Sequence, residues 1–334
     1  MTTLSITQSD PLGILESTRH LLSQARHARI VPEAIVGFVA SFGGVRPEPP
    51  PWDSELHLVD TAPGGDERLA GWVFALDALN FCFWSTAEER WQVTWRGKTR
   101  NGYGALASSL CRAVEEEFPL WDPAWLRRLT PEQTAWILRA DEGYPAIPLL
   151  ESRHRHLQEL GTGFGADTAA DVLTKAGGSA IAVITEVLQR FPSFRDVAIG
   201  PDGQPVHFCK RAQILIADLS GALEGSGLAR FDDLAELTAF ADYKVPQVLR
   251  QLGILAYSDE ATSLIRSKTL IAAGSGIELE IRSATIWGCE LIRQALVAAG
   301  IELTSSGIDW LLWNAGQSLP STVEPYHRTL TPFY

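Results

Sequence analysis

Apolar residues recur at three- and four-residue intervals along almost the whole of this 334-residue chain, and proline or glycine repeatedly cuts the pattern. That combination dictates a mainly α protein built from many short helices. Asp10 and Pro11 open the first run as N-cap and first-turn residue, ahead of Leu12, Leu15, Thr18 and Leu22. Pro32 opens a second over residues 33–42, striped by Ile35, Phe38 and Val39 and stopped by Gly43 and Gly44. The same spacing predicts helices over 69–84, 104–118, 121–128, 131–138, 148–160, 168–175, 179–191, 263–271, 281–299 and 307–314. Two small β additions interrupt them. Trp91-Gln92-Val93-Thr94-Trp95 alternates and meets Arg96-Gly97-Lys98, and Gly200-Pro201-Asp202-Gly203 is a turn between two brief extended pieces. Pro47, Pro49, Pro50 and Pro51 form a connector, and a polar bridge follows as far as Pro63-Gly64-Gly65. No internal repeat or low-complexity tract is present.

At 46% hydrophobic content, a chain of this length can fill one large core, so a single compact helical domain, with two closely packed subdomains, is expected over residues 1–334. Forty acidic against 28 basic residues give a formal charge of −12, which removes long-range attraction to DNA or RNA and leaves a small molecule as the expected partner. Cys82, Cys111, Cys209 and Cys289 share no metal-ligand spacing, so neither a metal, another cofactor nor a disulfide framework is called for. Residues 1–6 lack a basic start and an apolar run, and no stretch reaches the ~18 apolar residues of a membrane span. A cytoplasmic protein with no membrane contact and no obligate protein partner is the expectation. Eleven tryptophans against one methionine indicate rigid ring packing, or a pocket that sandwiches a flat heterocycle.

The chemistry concentrates in residues 208–255. With Asp232 or Asp233 as cap, Leu234, Leu237 and Ala241 fall on one face of a short helix, and Pro246 favours a new helix beginning near Val245. Asp242 is left in the corner, where free backbone N–H groups favour the carboxylate and lower its pKa. A plain capping aspartate fits the same pattern. Lys210 stands near the start of another helix, a position where lysine is ordinarily a solvated charge. An anion held against a developing cation is the central electrostatic need of glycosidic bond cleavage.

Two long strings carry a resemblance. Phe208-Cys209-Lys210-Arg211-Ala212-Gln213-Ile214-Leu215 and Leu237-Thr238-Ala239-Phe240-Ala241-Asp242-Tyr243-Lys244-Val245-Pro246-Gln247-Val248-Leu249-Arg250 resemble signature blocks of the queuosine salvage protein family. Leu76-Asp77-Ala78-Leu79-Asn80-Phe81-Cys82-Phe83-Trp84-Ser85, Phe191-Pro192-Ser193-Phe194-Arg195-Asp196 and Tyr326-His327-Arg328-Thr329-Leu330-Thr331 agree, so the likeness spans nearly the full length. Cys209 departs from an expected Tyr, and Lys244 from an expected Arg. The resemblance implies a fold similar to helix-hairpin-helix DNA glycosylases. It also implies hydrolysis of queuosine 5'-monophosphate to queuine, a substituted 7-deazaguanine, and ribose 5-phosphate, with Asp242 and Lys210 as the catalytic pair.

Other residues follow as candidates. If 69–84 is one helix, Asp77, Asn80, Phe81 and Trp84 share a face and can read and stack a guanine-type base. His327 and Arg328, with Thr329 and Thr331, make a positive and hydroxyl-rich set suited to a phosphate; Arg211, Tyr243 and Tyr334 complete the phosphate and ribose candidates. The apolar end Pro332-Phe333-Tyr334 favours a docked tail. Trp287 and the helix through Ile308-Asp309-Trp310-Leu311-Leu312-Trp313 are expected to wall the site by packing. A non-catalytic helical binding module and a DNA or RNA base glycosylase are the competing functions.

Overall fold

Local signals start most of the helices in the computed structural model, which describes residues 4–85, 89–320 and 322–334. Residues 1–3 of the N-terminal segment lie outside that range. Asp10 accepts hydrogen bonds from the Leu15 and Glu16 amides at 3.1 and 2.8 Å and so serves the first turn of the Ile14–Leu22 helix, but the N-cap position is Gly13, and Pro11 lies in the turn ahead of the helix rather than in its first turn as expected. Pro32, Pro123 and Pro131 occupy first turns, and Thr130, Thr168 and Ser179 each accept an amide of the turn they open. The described residues form fourteen α-helices and three two-stranded antiparallel sheets, a mainly α fold. Both β additions expected from the sequence are present. The third sheet, which local periodicity did not announce, pairs Ala28–Ile30 with Leu255–Tyr257.

Contacts divide the chain into two units. The first comprises Met1–Pro50, Asp196–Gln213 and Asp233–Thr331; the second comprises Pro51–Arg195, Ile214–Asp232 and Pro332–Tyr334.

In the first unit the 23-residue Gly276–Ala298 helix is buried on nearly every side and runs through the core. Its Ile281, Ala284, Cys289, Ile292 and Leu296 belong to one cluster with Val245, Val248 and Leu249 of the Lys244–Gln251 helix and with Ile308 and Leu312 of the Ser305–Gln317 helix. Each such fully buried aliphatic side chain contributes roughly 1.5–3 kcal/mol. Gly316 allows the last two helices to close up, since a Cβ there would lie 3.0 Å from Lys244 Cγ and 3.1 Å from Val248 Cγ2. These three helices fix where Asp242 emerges.

The second unit is organised around the Gly65–Ala78 helix, which is buried from Leu69 to its end. Gly71 lets the neighbouring chain press against it, since a Cβ there would lie 2.6 Å from Trp121 Cβ. Phe74 packs edge-on against Phe164 at 5.2 Å, and Phe164 against Phe191 at 5.0 Å. The hairpin Gln92–Trp95 and Lys98–Asn101 turns at Arg96 and Gly97, with φ of 47° and 71°, the left-handed pair that a two-residue hairpin requires. All four cysteines are buried and none forms a disulfide.

Candidate active site

Lys210 begins the Lys210–Ala222 helix and Asp242 lies two residues ahead of the Lys244–Gln251 helix, both in the first unit. Lys210 is only 4% exposed, unlike the solvated charge its position suggested. Asp242 Oδ1 accepts the Lys244 amide at 2.8 Å and the Val245 amide at 2.9 Å. Both amides fall on the same oxygen. The carboxylate is thus pinned at Oδ1 and presents Oδ2.

Two sequence expectations need correction at this corner. The short helix expected to lead from Asp232 to Ala241 is a single 3-10 turn, Leu234–Glu236, followed by non-helical chain. Side chains from elsewhere take the amides a helix would need: Gln213 Oε1 accepts from Thr238 N at 2.9 Å, and Asp309 Oδ1 from Phe240 N at 2.9 Å. The second correction is the sign of the Asp242 shift. Burial raises its pKa above the ordinary carboxylate value, and the opposing pull of Lys210 and of the two amides does not cancel that.

Asp309, on the Ser305–Gln317 helix, belongs to the segment expected only to wall the site. It is 3% exposed, and burial together with the charge of Asp242 pushes it well above the usual carboxylate range, against the Phe240 amide and Lys210. Burial thus raises both carboxyls, and the charge of Lys210 opposes the rise at each. The hint in the sequence was Asp309 inside the otherwise apolar stretch from Ile308 to Trp313.

The residues expected from the sequence to read the base lie in the second unit. The predicted 69–84 helix ends at Ala78, so Asn80, Phe81 and Trp84 do not share a helical face with Asp77. Asp77 and Asn80 still meet, Asn80 Nδ2 donating to Asp77 Oδ1 at 3.1 Å. Arg153, fully buried on the Leu150–Gly163 helix, stops the first helix by donating to the carbonyls of Leu79, Phe81 and Cys82, while His156 Nδ1 lies 3.1 Å from that of Ala78. Its guanidinium also covers one face of the Phe81 ring at 4.2 Å. Phe81 and Trp84 are 1% and 3% exposed. Tyr103 brings a hydroxyl into this unit, 3.4 Å from Asp218 Oδ2 and 2.9 Å from His57 Nε2; burial first, and then the charges of Asp218 and Asp77, raise its pKa.

The tail is docked. Ile271 N donates to Arg328 O at 2.8 Å, and His327, Thr329, Thr331 and Tyr334 are buried. Tyr334 O accepts from Cys82 N at 2.9 Å within the second unit. His327 supplies no positive charge, because burial and then the charge of Arg282 lower its pKa to about 3. It is a neutral imidazole. Tyr243 packs its ring against Tyr326 at 4.6 Å, and Arg211 is buried. No cluster of three or more His, Cys, Asp or Glu among the described residues is placed to hold a metal ion, and no described helix is long and apolar enough to cross a membrane.

Known proteins resemble this chain over most of its length. Residues 61–334 match the family model described as queuosine salvage protein. A relative from Sphaerobacter thermophilus is 47% identical over 328 residues, covering 97% of this chain and 98% of the relative. One from Mus musculus is 35% identical over 338 residues, at 94% and 99% coverage, and one from Schizosaccharomyces pombe is 32% identical at 75% of each chain. All three carry the name queuosine 5'-phosphate N-glycosylase/hydrolase. A family model covering most of the chain and relatives matched over nearly their whole length lead to one conclusion: the chain belongs to the queuosine salvage protein family.

Proposed function

We propose that residues 1–334 act as one N-glycosylase domain that hydrolyses queuosine 5'-monophosphate to queuine and ribose 5-phosphate. The observation that carries this reading is the buried Asp242, held at Oδ1 by two amides that leave Oδ2 aside, and acted on by the charge of Lys210. A 7-deazapurine lacks the imidazole nitrogen that an ordinary purine can protonate on leaving. The burden of catalysis therefore shifts to the sugar. As the bond from the anomeric carbon to the base nitrogen breaks, the electron pair leaves with the base and an oxocarbenium charge develops on the ribose. Asp242 stabilises that charge and takes a proton from the attacking water, whose oxygen forms the new bond; the departing base nitrogen gains a proton in exchange.

Lys210 keeps Asp242 ionised despite burial or contacts the ribose. Asp77 and Asn80 are assigned to the base edge and Phe81 and Trp84 to its ring, with Arg211, Tyr243, Arg328 and Tyr334 as phosphate and ribose candidates and His327 as a neutral hydrogen-bonding one. Four buried thiols with no disulfide suit a reducing compartment such as the cytoplasm. Incubation of purified protein with queuosine 5'-monophosphate, followed by chromatography, tests the reading. Free queuine and ribose 5-phosphate are expected in equal amounts. Recovery of intact nucleotide would favour a binding module instead.

A further inference from the structure

Three charged residues that the proposed chemistry does not use meet beside the Lys210 and Asp242 blocks in the first unit: Asp196, Glu278 and Arg282. Arg282, on the Gly276–Ala298 helix, is 2% exposed. Its Nη1 donates to Asp196 Oδ1 at 3.0 Å, and its Nη2 to Asp196 Oδ2. On the other edge, Nε donates to the carbonyl of Ala241 at 3.1 Å, the peptide that joins directly to Asp242. The central carbon of the guanidinium lies 3.8 Å from the centre of the Phe208 ring, and Glu278 approaches Nη1 at 3.5 Å.

Asp196 carries the connection to the lysine. Its backbone carbonyl accepts the amides of Phe208 and Cys209 at 3.0 and 3.1 Å, and its Oδ2 accepts the Lys210 amide at 3.3 Å. Cys209 is bent to φ 49° at this point, a left-handed conformation that a cysteine adopts only when its neighbours hold it there. One guanidinium therefore reaches the backbone on both sides of the proposed catalytic pair, through Asp196 to Lys210 and directly to the residue before Asp242. Asp309 holds the neighbouring Phe240 amide from the Ser305–Gln317 helix, so the two residues ahead of Asp242 are held, Phe240 at its N–H and Ala241 at its carbonyl. An arginine suits this place because its rigid fork donates in several directions at once, whereas a lysine is a single point of charge.

We propose that Arg282 is a positioning residue: bridging Asp196 and the Ala241 carbonyl, it sets the placement of Asp242 relative to Lys210 and so governs turnover rather than substrate affinity. The inference rests on the hydrolase reading above. Misplacement of a reacting group by about 1 Å costs on the order of 100-fold in rate, so a partial loss of the brace registers in kcat.

The test is steady-state kinetics of queuosine 5'-monophosphate hydrolysis by R282K and D196N, with kcat expressed per folded molecule from the amplitude of the thermal unfolding transition. R282K keeps the positive charge and loses the fork; D196N keeps the shape and places an amide NH2 against donors. The expected result is a kcat at least about 30-fold lower for R282K and about 10-fold lower for D196N, with KM within about threefold of wild type. One folded variant of the two suffices. Wild-type kcat per folded molecule, or a change confined to KM, would overturn the proposal, and failure of both variants to fold would overturn it too, by assigning the pair to stability. A wild-type protein that releases no queuine overturns the hydrolase reading itself and the brace with it.

Discussion

Replacing Arg153 by Met measures how much of the proposed base-recognition block is held in place by one buried side chain. Met matches the arginine stem in volume and removes every donor. Arg153 is fully buried and donates to four carbonyls, those of Pro148, Leu79, Phe81 and Cys82. A buried carbonyl left without its donor costs about 1–3 kcal/mol, so four cost about 4–12 kcal/mol. Burying the guanidinium costs several kcal/mol, and that cost disappears in the variant, leaving a destabilisation of about 3–5 kcal/mol. At about 2 °C per kcal/mol for a chain of this size, thermal unfolding should move down by about 6–10 °C. Differential scanning calorimetry of wild type and R153M reads the shift, and queuine binding by titration calorimetry reads its functional side. Affinity should fall, because the carbonyls of Leu79, Phe81 and Cys82 then need other donors and the Asp77–Asn80 contact loses its frame. An unfolding temperature within about 1 °C of wild type would defeat the prediction, since it would mean that the carbonyls are satisfied without Arg153.

Two further predictions concern pH. Asp309 has a raised folded pKa, so the folded state keeps a proton that the unfolded state has lost, and stability falls as pH rises past the ordinary carboxylate range. D309N removes that proton linkage and retains an acceptor for the Phe240 amide; its unfolding temperature should decline less than that of wild type between about pH 4 and about pH 7. A curve parallel to wild type would count against the assignment. His327 behaves in the opposite sense: its folded pKa is lowered to about 3, so its contribution is complete above the ordinary histidine value of 6.5 and is lost as pH falls toward 3. H327Q should therefore be less sensitive than wild type to acidification from about pH 6.5 to about pH 4, as followed by circular dichroism melts.

Helix starts were legible in the sequence because their causes are local. Asp10, Pro32, Thr130, Thr168 and Ser179 act within a few residues of themselves, and the structure uses each as a start signal. What local periodicity could not reveal is decided by partners far along the chain. The helix from Gly65 stops at Ala78, although its apolar spacing continues to Trp84, because Arg153 and His156 take the carbonyls that follow. The segment before Asp242 is not helical because Gln213 and Asp309 occupy its amides. Pairing of Ala28–Ile30 with Leu255–Tyr257 joins strands more than two hundred residues apart and leaves no mark in either strand alone.

The candidate site divides in the same way. Lys210 and Asp242 were found through the strings that resemble a family, and the amides that pin Asp242 could be foreseen from Pro246 and the helix it opens. Burial could not. It reverses the direction of the Asp242 shift, removes the charge from His327, and makes Asp309 and Arg282 partners of the pair, none of which a charge pattern in one dimension discloses.

Single-turnover release of queuine from queuosine 5'-monophosphate by Asp242→Asn, alongside nucleotide binding by the same variant, is the decisive experiment. The amide keeps an oxygen for the Lys244 and Val245 amides and removes only the negative charge. Binding within about threefold of wild type is expected, with base release slowed by about 1,000-fold or more, the scale of a lost group aimed at transition-state charge. Since the buried carboxylate is raised in pKa, the variant should also melt no lower than wild type at neutral pH. Base release at the wild-type rate from a folded, nucleotide-binding Asp242→Asn protein would remove Asp242 from the chemistry.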